Sequence, residues 1–214
     1  TDGIFNVGAG VNAAVAGTNG LSNVSDGNTV AAQELTITGF GESKIDILED
    51  STGKEIAALV NQVADSTGVT ALARTSASLG NLSADGIVSF TLNGQDISAN
   101  VTTTDLSDLV GAINNQTGKT GVVASLNITK DGVDLVESSG ENISVLNFNS
   151  SAADLSTNTS VTIDVAGSEG AAATLSAGTL TDTDSTVVGA NVEFKSISGA
   201  FSVKSSIAES ASSL

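Results

Sequence analysis

Two stretches decide how this chain folds: residues 52–68, TGKEIAALVNQVADSTG, and residues 102–118, TTTDLSDLVGAINNQTG. Laid over each other they keep a constant offset of 50 (102 − 52 and 118 − 68). Each places aliphatic residues at i, i+3, i+4 and i+7: Ile56, Leu59, Val60 and Val63 in the first, Leu106, Leu109, Val110 and Ile113 in the second. That spacing lines one face of a short helix, because residues three and four apart lie on the same side. Thr52 with Glu55 is a capping-box pattern and Thr102 with Asp105 a shorter version of it. Gly68 and Gly118 stand where a left-handed residue commonly ends a helix.

Strand patterns flank both helices. Before the first, residues 35–38 and 44–48 alternate apolar and polar, and residues 69–73 do so after it. Around the second, residues 87–92 run into Asn93-Gly94, a two-residue hairpin signal, and residues 96–101 return. Residues 122–129, an Asp131-Gly132 turn and residues 133–136 follow. A hairpin, a capped helix and a second hairpin make a small α+β unit with the helix over one sheet face. Two such units are expected in tandem, over residues 34–80 and 81–148.

From Ser160 onward the pattern changes. Val161, Ile163 and Val165, then Val188, Ala190, Val192 and Phe194, alternate between Gly/Ser/Thr/Asp runs, which predicts strands throughout. The first thirty or so residues are rich in Gly, Ala and Asn. Residues 1–33 are expected to pair with residues 149–214 as one discontinuous β-rich domain, with the repeated units inserted between its strands. The fold class expected is therefore α+β, mostly β.

Composition removes most chemistry. The 214 residues include no Cys, His, Met, Trp, Tyr or Pro. Without imidazole there is no Ser/His/Asp arrangement and no general base of the commonest kind; without thiols, structural zinc and disulfides are excluded. Lys and Arg total 7 against 24 Asp and Glu, a net charge of -17, so the chain repels phosphate backbones and anionic headgroups, and neither nucleic acid nor membrane is an expected partner. At 40 % apolar residues and a mean hydropathy of +0.21 it is too hydrophobic for a disordered acidic tail. Residues 3–21, the longest uncharged apolar-leaning stretch, are broken by Asn6, Asn12, Thr18 and glycines, unlike a membrane span, and lack the basic start of a signal peptide.

The repeated pattern, a capped helix ending in Thr-Gly followed by a Val-x-Ala strand over residues 52–73 and 102–126, resembles the IN motif of flagellins and some flagellar hook-associated proteins. Residues 89–98, SFTLNGQDIS, residues 109–118, LVGAINNQTG, and residues 121–126, GVVASL, carry the likeness most fully. Flagellins are similarly free of Cys and poor in Trp, Tyr, His and Pro. The family's long polymerising helices have no counterpart here. The resemblance therefore implies the outer, solvent-exposed middle portion of a longer flagellin: a structural, antigenic spacer on the extracellular flagellar filament, exported through the flagellar channel. Its implied partners are other flagellin subunits, contacted through regions this chain lacks, and O-linked glycans on exposed Ser or Thr. The alternative is a binding head of a flagellar cap or hook-associated protein, or of an adhesin. The isolated chain is expected to be a monomer, since its charge opposes self-association.

Other features have plain readings. Asp46, Glu49 and Asp50, and Asp105 with Asp108, gather carboxylates that could in principle hydrolyse glycosides, but they fall at a strand edge and a helix start, where acids are expected anyway. No Trp or Tyr is present to stack a sugar, and the Phe residues sit at core-like strand positions. Asp182 and Asp184 lack the glycine and distant Glu of a calcium loop. Lys44, Lys54, Arg74, Lys119, Lys130, Lys195 and Lys204 are scattered, so they form no basic stripe. Gly8, Gly10, Gly17 and Gly20 match no phosphate loop, and Asn23, Asn81, Asn127 and Asn142 open sequons of the kind chance supplies. No residue is assigned to catalysis, to a cofactor or to a metal, and the chain is not expected to be an enzyme.

Overall fold

Asn93 and Gly94 both take positive φ, 44° and 79°, the geometry of a type I′ turn, and they join β5 (Gly86–Leu92) to β6 (Gln95–Val101). The structure, a computed structural model, describes residues 2–5, 27–178, 183–197 and 199–207. After β6 come α3 (Ser107–Asn114), a short α4 (Thr117–Thr120), β7 (Val122–Leu126) and β8 (Gly132–Glu137). This is the hairpin, helix, hairpin order predicted for the second unit, with Lys130 at φ 66° in the closing turn.

The first unit opens alike, with β2 (Gln33–Thr38) and β3 (Glu42–Ile47) joined through Gly39, Phe40 and Gly41, then α1 (Gly53–Gln62) and α2 (Ala64–Thr67). It closes differently. β4 (Val69–Gly80) runs for 12 residues without a turn, because alternation continues unbroken to Gly80 and Asn81. β1 (Asp2–Phe5), β9 (Ile143–Ser150), β10 (Val161–Gly167), β11 (Ala173–Ala177), β12 (Thr186–Val188), β13 (Asn191–Ser196) and β14 (Ser202–Ser205) complete the described strands.

Among the described residues all pairings are antiparallel, in three sheets. β13 pairs with β4 and β1; β4 also pairs with β8 and β10, which bring in β7 and β11. A second sheet runs β12-β9-β5-β6 and a third β14-β2-β3. Strands after residue 149 thus lie against strands of both repeated units.

Among the described residues most buried apolar side chains fall into two clusters. One joins Leu35, Ile37, Ile45 and Ile47 of the first hairpin to Ile56 and Val60 of α1, Val69 and Ala71 of β4, and Val192 and Phe194 of β13. The other joins Val88, Phe90 and Ile97 to Leu109 and Ile113 of α3, Val122 and Ala124 of β7, and the inward residues of β8 to β10. Ala77 and Leu79 place the far half of β4 in this second cluster, so one strand threads both cores.

Three expectations need correction. Thr102 does not cap α3: it forms a bridge with Asp105, and the helix starts at Ser107 after Leu106, whose N–H is received by the Lys130 carbonyl at 2.8 Å. Gly118 does not end the second helix; it lies inside α4, and the left-handed residue is Gly121 at φ 73°. Phe40 is no core residue, because the turn places it 68 % exposed. Thr52 and Glu55 do form the predicted capping box, with Gly68 left-handed at φ 68°.

Candidate functional site

The corrected helix ends reset the correspondence between units. Ile56 matches Leu109 and Val60 matches Ile113 as the fully buried helix residues, and Gly68 matches Gly121, a spacing of 53 (109 − 56). At this spacing the sequences share Asn-x5-Thr-Gly-Val-x-Ala, running from Asn61 to Ala71 and from Asn114 to Ala124.

Those shared polar residues clamp helix to strand. The Asn61 amide donates to the Ala71 carbonyl and accepts from the Ala71 N–H, both at 2.9 Å. Asn114 does the same to Ala124, at 2.9 and 2.8 Å. The Thr67 hydroxyl donates to the Val63 carbonyl and receives the Val69 N–H; Thr120 repeats this between Gln116 and Val122. Each asparagine gives the strand a donor and an acceptor, and each threonine an acceptor, that a helix backbone, with its own groups already bonded, cannot offer. The left-handed glycine then reverses the chain into the strand.

A profile of the flagellin hook IN motif matches residues 34–85 and 89–140. The chain contains two flagellin IN motifs. The two motifs support a flagellin-like flagellar component. Among solved structures, the D2–D3 domains of the flagellar cap protein FliD from Escherichia coli align at 14 % identity over 92 % of this chain and 98 % of that one, with a TM-score of 0.21, too low to carry an argument. No curated protein matches.

The IN units meet at a polar junction. Glu137, 5 % exposed, accepts from the Ser139 N–H and hydroxyl and from the Glu141 N–H, which shapes the loop after β8. That loop reaches the first unit: the Gly140 carbonyl receives the Lys54 N–H in the first turn of α1 at 3.0 Å, and the Thr75 hydroxyl donates to the Glu141 carbonyl. Lys54 pairs with Glu141 at 3.0 Å, which holds the lysine pKa above its ordinary value. Asn93 spans the same region, donating to the carbonyls of Thr120 and Asn142 and accepting from the Ser144 N–H and hydroxyl. Asn28 adds bonds to Ser51 and Asn142. An open cleft of about 540 Å³ lies here, lined by Thr52, Asn93, Lys119, Glu137 and Asn142 among others.

The residues singled out from the sequence do not converge on a reactive centre. Asp46 is exposed on β3, and Glu49 and Asp50 are exposed in the turn beyond it. Asp105 accepts from the Ser107 hydroxyl and N–H, which hold its carboxyl below the usual range; Asp108 lies in the first turn of α3. The Asp184 carboxylate accepts from the Ser185 hydroxyl at 2.8 Å. Asp182, Asn23 and Gly8, Gly10, Gly17 and Gly20 lie outside the described residues. Asn81, Asn127 and Asn142 are tied to Asp164, Asp131 and Asn28. Among the described residues no three carboxylates are placed to hold a metal. Lys44 and Lys195 make exposed ion pairs with Glu34 and Glu193.

The functional residues that the sequence reading passed over are Asn61, Asn114, Thr67 and Thr120. Their signal is identity between repeats at polar positions, visible only once the offset is 53.

Proposed function

We propose that this chain is the solvent-exposed outer part of a flagellar filament subunit, an extracellular spacer whose role is mechanical and antigenic. What carries the reading is the pair of IN units knitted into one piece through β4 and the loop from Glu137 to Glu141, in a chain without thiol or imidazole chemistry. A rigid, acidic body of this kind suits a projection that keeps neighbouring filaments apart. The two IN units serve as its domains, and the strands after residue 149 complete them. Filament contacts belong to segments of a parent flagellin beyond this chain, the isolated chain is a monomer, and exposed Ser and Thr are the positions open to O-linked glycans.

Antibodies raised against the chain, applied with gold label to intact cells of the organism that makes it, test the reading. Decoration along the filament is the expected result. Label confined to the filament tip would move the chain to a cap or hook-associated protein, and flagella left bare while another surface structure is labelled would overturn both.

A further inference from the structure

Among the described residues β7 pairs with β8 alone, so its other side meets no strand. Such edges present peptide groups that can recruit a further strand, and proteins blunt them with charge, proline, bulges or a cover. β7 reads VVASL, without a charge or a proline, and Val123 is 53 % exposed. The outward groups of Val122 and Ala124 are nevertheless taken. The Val122 carbonyl accepts from the Thr117 hydroxyl at 2.8 Å, and the Val122 N–H reaches the Thr120 hydroxyl at 3.2 Å. The Ala124 N–H and carbonyl are both held by Asn114.

We infer that Asn114, Thr117 and Thr120 form an edge seal, standing in for an absent strand and preventing β7 from pairing with β7 of a second copy of this chain. The side-chain amide reproduces the donor and acceptor that a neighbouring strand residue would offer, and the two hydroxyls extend the row. A second β7 is the occupant excluded, because two uncharged copies can meet without the like-charge opposition that the net charge of -17 imposes elsewhere. The first unit supports the assignment by contrast. There Ala64 stands where Thr117 stands in the second, and the row is shorter where β4 continues into pairing with β8 and β10. The seal depends on bonds inside the IN unit and not on where the chain sits in a flagellum.

The test uses the 214-residue chain. Amide exchange on the unaltered protein should find the Val122 and Ala124 N–H groups protected like those of interior strands; exchange as fast as in exposed turns overturns the seal. In Asn114→Ala/Thr117→Ala/Thr120→Val, exchange at Ala124 in dilute solution should rise about tenfold, the effect of losing one hydrogen bond. Sedimentation should show a dimer growing with concentration while far-UV circular dichroism stays unchanged. A folded triple variant that remains monomeric throughout overturns the inference. If the triple variant does not fold, Thr117→Val decides, since it frees only the Val122 carbonyl. It should self-associate at concentrations at which the unaltered chain stays monomeric, and a monomer at every concentration overturns the seal.

Discussion

The Asn114 side chain and the Ala124 backbone close a ring of two hydrogen bonds, donor to carbonyl at 2.9 Å and N–H to acceptor at 2.8 Å, and Asn61 and Ala71 close the same ring in the other repeat. Removing either asparagine leaves two strand groups without their partner in a partly buried place. Asn61→Ala and Asn114→Ala should each lower stability by about 1–3 kcal/mol. Asn115→Ala, one position along and exposed, should change it by less than about 0.5 kcal/mol. Urea denaturation of the three variants makes the comparison; equal effects at Asn114 and Asn115 would remove the clamp from the account.

Glycine substitutions distinguish the two possible repeat registers. Gly121 has φ 73°, so Gly121→Ala forces a side chain into left-handed backbone, at a cost of about 1–2 kcal/mol. Gly68→Ala carries the same cost and brings its Cβ within 2.5 Å of the Phe40 ring. Gly118 lies within α4, and a Cβ there meets nothing within 4 Å. Gly118→Ala should therefore raise stability, by up to about 1 kcal/mol. Opposite signs at Gly118 and Gly121 in thermal unfolding support the 53-residue spacing, and the reverse order would restore the spacing of 50.

That comparison shows why the helices were legible and their register was not. A stripe of aliphatic residues three and four apart looks much the same after a shift of three, so Leu106, Leu109, Val110 and Ile113 overlay Ile56, Leu59, Val60 and Val63 one turn out of step. Thr117-Gly118 and Thr120-Gly121 repeat at that same interval, and only the second pair stands before Val-x-Ala. The capping box at Thr52 and the turn at Asn93-Gly94 were readable because local backbone chemistry fixes them. The neighbours of β4 were not, because alternation marks a strand and its buried face but says nothing about which distant strand pairs along it.

Acid should act on the turns first. Hydrogen bonds from Ser107, from Thr129 and Asn127, and from Ser156 hold the carboxyls of Asp105, Asp131 and Asp154 below the ordinary value of 3.8. A carboxyl with a lowered folded pKa adds stability that is present above the unfolded value and lost as pH falls through the folded one. From neutral pH down to about 5, falling self-repulsion among the acids should hold or raise stability, and below about pH 4 it should decline. Asp105→Asn/Asp131→Asn/Asp154→Asn should start less stable at pH 7 and flatten the acid limb. Denaturant midpoints measured from pH 7 to 2 check this, and an acid limb as steep in the triple variant as in the unaltered chain would assign the decline to other groups.

Glu137 governs whether the two cores unfold together. Its carboxylate accepts the three donors that fix the loop from Ser139 to Glu141, and that loop supplies the Gly140 carbonyl to α1 and the Glu141 carbonyl to Thr75. Glu137→Gln turns one acceptor oxygen into a donor facing N–H groups, so the loop loses its shape and the first turn of α1 its partner, at about 2–3 kcal/mol. β4 still threads both cores, but with the junction loosened one half can melt before the other. The ratio of calorimetric to van't Hoff enthalpy, near one for the unaltered chain, should rise in Glu137→Gln as the transition broadens. Lys54→Ala removes only an exposed ion pair and keeps the Gly140 bond to the backbone of residue 54, so it should cost far less than Glu137→Gln and leave a single sharp transition. If both variants unfold in one sharp step, the continuous strand alone couples the cores and the loop does not.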